Sequence, residues 1–354
     1  MREKTQNVVV LVTGVAGFIG SRVAELLAQR GDAVIGVDNI NDYYDVQLKY
    51  ARLRNLLGVN KDGGEIEFEH VYQSSIYPKL RFVRLSIDDK VALDKLFGER
   101  KYDVVVNLAA QAGVRYSITH PYTYMQSNLV GFLNVLEACR NFNVPKLVFA
   151  SSSSVYGMNE KVPYCEEDKV DSPISLYAAS KKGNELMAHC YSKLYGFQTI
   201  GLRYFTVYGP WGRPDMSPML FANAIRDDKS IKIFNNGDMI RDFTYIDDIA
   251  KGTICAIDHT LDIEKCEHNV PYKIYNIGCS HPVNLMDFIS EMEHAFGKEF
   301  KKEFLPMQAG DVYQTYADCS RLEEDMGYRP RVSLKEGLEN FVQWYKTYGL
   351  KFKV

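Results

Sequence analysis

A tyrosine and a lysine one helical turn apart are the residues of this sequence best suited to acid–base chemistry. Tyr177 and Lys181 stand at positions i and i+4 of the segment "SLYAASKKGNELMAHCYSKLYG", so they share one face of a predicted helix. A free phenol has a pKa of about 10, and an ammonium within a few ångströms lowers it, which would let Tyr177 accept a proton from an alcohol. Ser152 follows a predicted strand within the serines at 151–154 and could hydrogen-bond the same hydroxyl. A Tyr–Lys pair is also common on exposed helix faces, so the prediction depends on the rest of the chain.

A glycine motif near the N-terminus predicts a second kind of site. Gly14, Gly17 and Gly20 stand in "VVVLVTGVAGFIG", after a predicted strand and at the start of a predicted helix. Such glycines permit a tight turn whose backbone N–H groups approach a pyrophosphate, and the helix N-terminus favours its charge. A second predicted strand ends at Asp38, whose carboxylate would accept hydrogen bonds from ribose hydroxyls and repel a 2′-phosphate. A glycine-rich turn without a ligand is the alternative, but the strand–glycine–helix order favours a dinucleotide site, with NAD preferred over NADP.

The hydrophobic pattern predicts an α/β protein built on a Rossmann-type doubly wound parallel sheet, with a smaller C-terminal α/β substrate lobe. Short β-branched runs alternate with amphipathic stretches through residues 1–203, the predicted nucleotide-binding domain. Predicted strands lie at 8–12, 33–37, 82–87, 104–108, 147–150 and 197–203, and predicted helices at 18–29, 90–97 and 131–141. Residues 39–81 are too long for a simple crossover and are predicted to form a surface insertion with a helix at 47–57 and a polar turn at 61–64.

The looser alternation of residues 204–354 predicts the substrate lobe, with some segments returning to the Rossmann domain. Predicted helices lie near 219–226, 246–258, 285–296 and 334–345, and predicted strands at 231–234 and 273–277. Ligands of doubly wound sheets bind in the crevice at the carboxyl ends of the strands, so the site is expected where the lobe meets that edge.

Composition disfavours several classes of partner. The chain of 354 residues is 46% hydrophobic and 25% charged, as is typical of a globular protein with a buried core, and its formal charge of −3 argues against a nucleic-acid binder. No apolar run reaches the length of a membrane span, and the N-terminal "MREKTQN" lacks the apolar core of a signal peptide. The seven cysteines are scattered without a Cys-x-x-Cys pair, which predicts reduced thiols in a cytoplasmic protein and gives a metal site no support.

Together these motifs resemble the extended short-chain dehydrogenase/reductase superfamily, and within it the NAD-dependent epimerase/dehydratase family. Besides the residues above, the resemblance rests on "NLAAQAGV" at 107–114, on Asn128 and on "RDFTYIDD" at 241–248. Longer segments are similar to UDP-glucuronate 4-epimerases: "NINDYYDVQLKYARL" at 39–53, "AAQAGVRYSI" at 109–118, "SSSSVYG" at 151–157 and "RYFTVYGPWGRPDM" at 203–216. The resemblance covers nearly the whole chain.

The resemblance implies an NAD site whose cofactor stays tightly bound and is regenerated in each catalytic cycle. Many relatives carry an aspartate before the position of Ile87; this chain has Ser86 there, and Asp88 could replace the contact with adenine. The implied NAD-binding residues are Gly14, Ala16, Gly17, Phe18, Ile19, Gly20, Asp38, Asn39, Ile87, Asp88, Leu108, Ala109, Ala110, Gln111, Asn128, Lys181 and Tyr204.

The resemblance also implies a UDP-sugar site and a mechanism of 4-epimerisation. Tyr177 would remove the C4′ hydroxyl proton as a hydride passes from C4′ to NAD⁺. The resulting 4-keto sugar would then turn its other face to the cofactor. Return of the hydride and the proton to that face would convert UDP-glucuronate into UDP-galacturonate. Arg241 is interpreted as a diphosphate contact, with a surface pairing to Asp242 or Asp247 as the alternative. The implied catalytic and substrate residues are Ser152, Tyr177, Lys181, Arg115, Ser153, Ser154, Thr206, Arg213, Arg241, Gln308 and Asp311.

Other interpretations stay open at this point. A UDP-hexose 4-epimerase acting on neutral sugars is the closer rival. Related dehydratases and decarboxylases place an acidic residue one or two positions after the catalytic Ser or Thr, where this chain has Ser153 and Ser154, which disfavours them. A non-catalytic NAD sensor on the same fold would have lost the tyrosine or the lysine. The superfamily implies a homodimer through the helices around 122–140 and 176–195, although those faces could instead pack on the sheet.

Overall fold

The main sheet begins at residue 9 and ends at residue 277 in the computed structural model, which describes residues 8–58, 66–307 and 312–352. The predicted turn at 61–64 lies outside the described residues. In chain order the strands are β1 (Val9–Thr13), β2 (Ala33–Asp38), β3 (Val71–Gln73), β4 (Leu80–Arg84), β5 (Val104–Asn107), β6 (Lys146–Ser152), β7 (Gln198–Tyr204), β8 (Thr206–Tyr208), β9 (Ile231–Ile233), β10 (Ile240–Tyr245), β11 (Tyr272–Ile277), β12 (Pro282–Asn284) and β13 (Lys302–Phe304).

The order of strands in the main sheet is β11-β7-β6-β5-β1-β2-β4-β3. Neighbouring strands pair in parallel, except that β3 adds an antiparallel edge strand beside β4. The strand order reverses its direction at β1, which lies between β2 and β5. This confirms the predicted doubly wound sheet, and such a reversal is where ligands of these folds bind. Two small sheets, β12-β10-β8 and β13-β9, form the rest of the strand structure in the described residues.

Helices cover both faces of the main sheet. Helix α7 begins after Ser175, whose hydroxyl accepts the Ala178 N–H, and ends at Gly196, whose φ of 78° suits a glycine. No helix in the described ranges has the length and apolar character needed to cross a membrane. The helices are α1 (Phe18–Arg30), α2 (Val46–Leu57), α3 (Lys90–Gly98), α4 (Tyr116–Thr119), α5 (Pro121–Tyr124), α6 (Gly131–Asn141), α7 (Leu176–Tyr195), α8 (Ser217–Arg226), α9 (Ile246–Asp258), α10 (Leu285–Phe296), α11 (Ser320–Met326) and α12 (Leu334–Thr347), with a π-helical segment at Met125–Val130.

Alternate residues of the central strand enter two different cores. Val10 and Val12 of β1 point to the side covered by α1 and α9, while Leu11 points to the side covered by α3 and α6. All three side chains are fully buried. Both faces of the sheet are therefore apolar, which explains why its strands appear in the sequence as continuous runs of Val, Ile, Leu and Phe.

Most predicted elements agree with the structure to within two residues. The strand predicted at 82–87 is displaced to Leu80–Arg84, because the chain turns at Ser86, whose carbonyl accepts the Asp89 N–H. The insertion also differs from the predicted surface segment. Its helix α2 buries Leu48, Lys49 and Arg52, so the insertion contributes to the interior of the protein.

A buried ion pair between α7 and β7 gives a test of stability. Arg203 Nε and Nη2 donate to the two carboxylate oxygens of Glu185 at 2.8 and 2.9 Å, and the side chains are 3% and 1% exposed. We expect Arg203→Met to lower the free energy of unfolding by about 3–5 kcal/mol, because it leaves a buried carboxylate without its partner. Arg22→Met, at the partly exposed pair with Asp247, should cost about 1 kcal/mol or less. Equal losses in urea denaturation would contradict this expectation.

Candidate active site

A cavity lies at the carboxyl ends of the main strands, and its floor is the turn between β1 and α1. Gly14 has a φ of +75°, and its N–H donates to the Val37 carbonyl at 2.7 Å. A Cβ at Gly20 would lie 2.1 Å from the Gly14 carbonyl oxygen, and one at Gly17 would lie 2.9 Å from it. Only glycine therefore lets the first turn of α1 pack this closely, which places the positive end of the helix dipole beside the cavity.

The carboxylate of Asp38 is fixed at one end of the cavity. Its Oδ2 accepts the Ala16 N–H at 3.0 Å and its Oδ1 accepts the Ile40 N–H at 2.8 Å. Each carboxylate oxygen has a further lone pair, so both can still accept from hydroxyls of a ligand. Asn39 Nδ2 donates to Ser86 Oγ at 3.3 Å, which places Ser86 in the same wall.

The other end of the cavity brings together the end of β6 and the start of α7. Ser152 is the last residue of β6, and Tyr177 and Lys181 lie in the first two turns of α7. Lys181 Nζ donates to the Ala150 carbonyl at 2.9 Å, and the Ser152 hydroxyl lies within reach of a hydrogen bond to the Tyr177 hydroxyl. Ser152 Oγ also donates to Ser154 Oγ at 3.2 Å. The predicted catalytic residues therefore form one cluster.

Burial decides the protonation of this cluster. It raises the pKa of Tyr177, against the opposing effects of the Ser152 hydrogen bond and the positive charge of Arg213. Burial lowers the pKa of Lys181 to about 8. The expectation that Lys181 lowers the pKa of Tyr177 is wrong for this structure, because the ammonium bonds Ala150 and lies 6.0 Å from the centre of the phenol ring. Tyr177 therefore holds its proton at neutral pH.

A further cation reaches the cavity from the loop after β8. Arg213 Nε and Nη2 donate to the carboxylate oxygens of Asp215 at 3.0 and 2.5 Å, and the Tyr43 hydroxyl donates to Asp215 Oδ2 at 3.1 Å. Although burial opposes ionisation, the Arg213 charge and these hydrogen bonds hold the pKa of Asp215 below its usual range. Arg213 is thus a fixed positive charge in the wall, close enough to Tyr177 to favour its phenolate.

Most of the predicted site residues line this one cavity. They come from the carboxyl ends of β1, β2, β4, β5, β6 and β7, from the first residues of α1, α7 and β8, and from the loop after β8. The residues in question are Gly14, Gly17, Phe18, Ile19, Gly20, Asp38, Asn39, Ile87, Leu108, Ala109, Ala110, Gln111, Ser152, Ser153, Ser154, Tyr177, Lys181, Tyr204, Thr206 and Arg213.

Ala16, Asp88 and Asn128 lie behind the cavity wall. Ala16 contributes its backbone N–H to Asp38, and the Asp88 carbonyl accepts Asn134 Nδ2 at 3.2 Å. Asn128 Oδ1 accepts the Gln111 N–H at 2.8 Å, and its Nδ2 donates to the Gln111 carbonyl at 3.1 Å. Asn128 therefore positions Gln111.

Arg115 and Arg241 also lie outside the lining. Arg115 is exposed, with its guanidinium 5.5 Å from the centre of the Phe234 ring. Arg241 donates to backbone carbonyls, including those of Val312 at 2.7 Å and Tyr313 at 3.0 Å. Arg241 thus organises the chain next to residues 308–311. Two predicted substrate residues, Gln308 and Asp311, lie outside the described residues.

The wall also contains side chains that sequence reasoning missed. Asn41, Tyr43, Tyr44 and Lys49 share one signal, because they belong to the polar and aromatic segment that follows β2 at the carboxyl edge of the sheet. In the parts of the chain that the structure describes, no group of three or more His, Cys, Asp and Glu side chains could hold a metal ion. The missed lining residues include Asn41, Tyr43, Tyr44, Lys49, Ser127, Phe205 and Met216.

The chain is similar in sequence and in structure to known proteins. A model of the NAD dependent epimerase/dehydratase family matches residues 10–278. Protein CapI of Staphylococcus aureus is 46% identical, over 97% of this chain and 99% of that protein. UDP-glucuronate 4-epimerase 4 of Arabidopsis thaliana is 45% identical, over 98% of this chain and 78% of that protein. The crystal structure of UDP-glucuronic acid 4-epimerase from Bacillus cereus, in complex with UDP-glucuronic acid and NAD, is 34% identical, with a TM-score of 0.81 over 96% of this chain and 99% of that one.

Lys181 makes stability depend on pH. Its pKa of about 8 in the folded protein lies below the 10.5 of an unperturbed lysine, so the unfolded state binds more protons between these values and stability rises with pH. We expect Lys181→Met to remove the contribution of Lys181 to this rise, about 3 kcal/mol across the window, while Lys49, whose pKa burial also lowers to about 8, keeps its own contribution. Urea denaturation of both proteins at successive pH values measures it. The control is Lys193→Met, which replaces an exposed lysine on the same helix and should keep the wild-type rise in stability. If the stability of Lys181→Met depended on pH as the wild type does, Lys181 would not be the source of the rise.

Proposed function

The chain belongs to the NAD-dependent epimerase/dehydratase family, and from this premise we propose that it interconverts UDP-glucuronate and UDP-galacturonate as a 4-epimerase, an isomerase of carbohydrate metabolism. The observation that carries the proposal is the convergence of Ser152, Tyr177 and Lys181 on a cavity whose floor is the glycine turn. UDP-glucuronate is chosen as the substrate because relatives named UDP-glucuronate 4-epimerase match this chain over almost its whole length.

The wall of the cavity has the chemistry to bind NAD. The N-terminus of α1 suits a pyrophosphate, and the Asp38 carboxylate suits the two hydroxyls of a ribose. Lys181, at the opposite end, is assigned to the ribose of the nicotinamide, and Ile87 with Ser86 to the adenine side. Bound NAD would supply hydride-transfer chemistry at C4′ with no net consumption of the cofactor over a cycle. Tight binding of the cofactor follows from this role.

Tyr177 is assigned the proton transfer at the C4′ oxygen of the sugar. Because burial raises its pKa, the phenol needs groups that favour its ionised form while it acts as a base. The Ser152 hydrogen bond and the positive charge of Arg213 both act in that direction. The same phenol returns the proton when the keto group is reduced. Ser152 would in addition hold the C4′ oxygen in place.

The serines after β6 and the arginines are assigned to the rest of the substrate. Ser153 and Ser154 present small hydroxyl groups that could hold the sugar carboxylate without drawing electrons from it, which matters because a 4-keto glucuronate is a β-keto acid and readily loses CO₂. Arg213 and Arg241 remain the proposed diphosphate contacts; Arg213, in the cavity wall, is the better placed of the two. Thr206 lines the same side of the cavity. The roles of Arg115, Gln308 and Asp311 stay predictions.

The serines after β6, together with Tyr177 and Lys181, also decide between the alternative functions. Epimerisation of a neutral UDP-hexose would use the same proton and hydride transfers, so only the carboxylate contacts distinguish it. An elimination or a decarboxylation would need a different arrangement, and the positions after Ser152 carry hydroxyl groups in place of acids. A non-catalytic sensor is disfavoured because Tyr177 and Lys181 are both present and lie together.

We further propose that residues 1–203 mainly bind NAD, that residues 204–354 mainly bind the nucleotide sugar, and that the protein is a cytoplasmic homodimer. All seven cysteines are free, which favours a reducing compartment. The outer faces of α5, α6 and α7 expose large apolar side chains, including Tyr122 at 86%, Leu133 at 39% and Leu186 at 57%. Such a face suits the pairing of these helices with their copies in a second chain.

Incubation with UDP-glucuronate and separation of the 4-epimers tests the activity. We expect UDP-galacturonate from the wild type and a loss of about 10²–10⁴-fold in turnover for Tyr177→Phe, because its ring cannot exchange the C4′ proton. The variant should retain bound NAD, seen in the absorbance of the denatured protein. Tyr77→Phe, outside the cavity, is the control. Conversion of UDP-glucose but not of UDP-glucuronate would favour the neutral-sugar epimerase. Release of CO₂ together with a UDP-pentose would favour a decarboxylase. Full activity of Tyr177→Phe would refute the catalytic assignment of Tyr177.

The proposed dimer is tested by sedimentation. A buried lysine without a partner is unfavourable in an apolar interface, so Leu186→Lys should convert dimers to monomers at micromolar concentration. Val91→Lys, on the 81% exposed side chain of α3, is the matched control and should remain dimeric. A monomeric wild type, or a Leu186→Lys variant that stays dimeric, would contradict the proposed interface.

A further inference from the structure

The side chain of Tyr43 connects separate walls of the cavity. Tyr43 lies in the loop after β2, and its hydroxyl donates to Asp215 Oδ2 at 3.1 Å in the loop after β8. The same hydroxyl oxygen lies 2.3 Å from the place where a Cβ of Gly113 would be, so it rests against the backbone of the loop after β5. The Tyr43 ring packs edge-on against Tyr116, with ring centres 4.8 Å apart. The side chain of Tyr43 therefore joins its own loop to the segments that follow β5 and β8.

The order of the strands places this contact across the cofactor groove. β1, which ends in the glycine turn, lies between β2 and β5. Because Tyr43 follows β2 and Gly113 follows β5, the contact between them spans the carboxyl end of β1. Both residues line the same cavity as the glycine turn. A dinucleotide laid on that turn would therefore lie next to the loops that Tyr43 joins.

The loop that carries Tyr43 is fixed at its base. Lys49 Nζ donates to the backbone carbonyl of Asn41 at 2.6 Å and to its side-chain oxygen at 2.5 Å. Arg52 Nη1 donates to the Tyr44 hydroxyl at 2.6 Å. These bonds hold the loop without the help of Asp215. Loss of the Tyr43–Asp215 hydrogen bond would therefore release the side chain of Tyr43 and leave the base of the loop in place.

We propose that Tyr43 and Asp215 form a latch that retains NAD in the cavity between catalytic cycles. The latch rests on the proposed function, in which the cofactor is regenerated and has no need to leave. Tyr43 is a positioning residue, because it acts by closing the loop after β2 onto Gly113 and Asp215. A hydrogen bond from a phenol to a charged carboxylate is strong enough to slow such an opening by about tenfold or more.

Exchange of the bound cofactor tests the latch. The purified holoenzyme is mixed with an excess of isotopically labelled NAD, and the label on the protein is measured over time after rapid gel filtration. We expect Tyr43→Phe, which lacks only the hydroxyl, to exchange NAD about tenfold or more faster than the wild type. Tyr77→Phe, in the same insertion but outside the cavity, should exchange at the wild-type rate. Equal rates in Tyr43→Phe and wild type would overturn the proposal.

A double-variant comparison distinguishes the latch from a general loosening of the loop. Asp215→Ala should also exchange NAD faster, and Tyr43→Phe should add nothing in that background, since the partner of the hydroxyl is already gone. An equal acceleration by Tyr43→Phe with and without Asp215 would overturn the latch. The assay contains no nucleotide sugar, so the result does not depend on the proposed substrate. A wild type that binds no NAD at all would instead overturn the proposed function together with the latch.

Discussion

The parallel pairing of β1 with β2 on one side and β5 on the other is the constraint on which the site depends. Because these strands run in the same direction, Thr13, Asp38 and Asn107 end at one edge of the sheet, and the chain leaves the sheet there each time. The Thr13 hydroxyl donates to Asn107 Oδ1 at 2.7 Å and accepts the Ala109 N–H at 3.1 Å, so the ends of β1 and β5 are fixed to each other. The glycine turn, Asp38 and the loop that carries Gln111 owe their positions to this pairing.

The catalytic cluster depends on a second connection through the interior. Ser151 Oγ donates to Glu185 Oε1 at 2.6 Å, and the same carboxylate accepts the paired hydrogen bonds of Arg203. Ser151 precedes Ser152 in β6, and Glu185 lies one turn after Lys181 in α7. Burying these charges costs solvation free energy that an apolar contact of the same volume would avoid. The Ser151–Glu185 hydrogen bond and the ion pair together fix the position of α7 against β6 and β7, and so the distance between Ser152 and the helix.

The parts of the site that local pattern determines could be predicted from the sequence. Apolar runs that end at Asp38 or Ser152 indicate the carboxyl ends of strands, and a spacing of four places Tyr177 on the same helix face as its lysine. The direction of the Tyr177 pKa could not be predicted, because the burial that raises it comes from elements distant in the sequence. Tyr43 was missed for the same reason. Its partner Asp215 is 172 positions away, and nothing in the intervening residues shows that the insertion folds back over the cavity.

The charges in the wall relate the binding of ligands to the stability of the protein. Lys49, Lys181 and Arg213 line the cavity, whereas Asp38 is its acidic lining residue in the described part of the chain. Burial lowers the pKa of both lysines to about 8, so their protonated forms are unfavourable in the protein alone. A dinucleotide and a nucleotide-diphosphate sugar each bring a diphosphate, whose negative charge favours those protonated forms. Such ligands therefore stabilise the folded state through the same side chains that bind them. The two buried lysines, in addition to the shape of the cavity, would then favour diphosphate ligands over neutral ones.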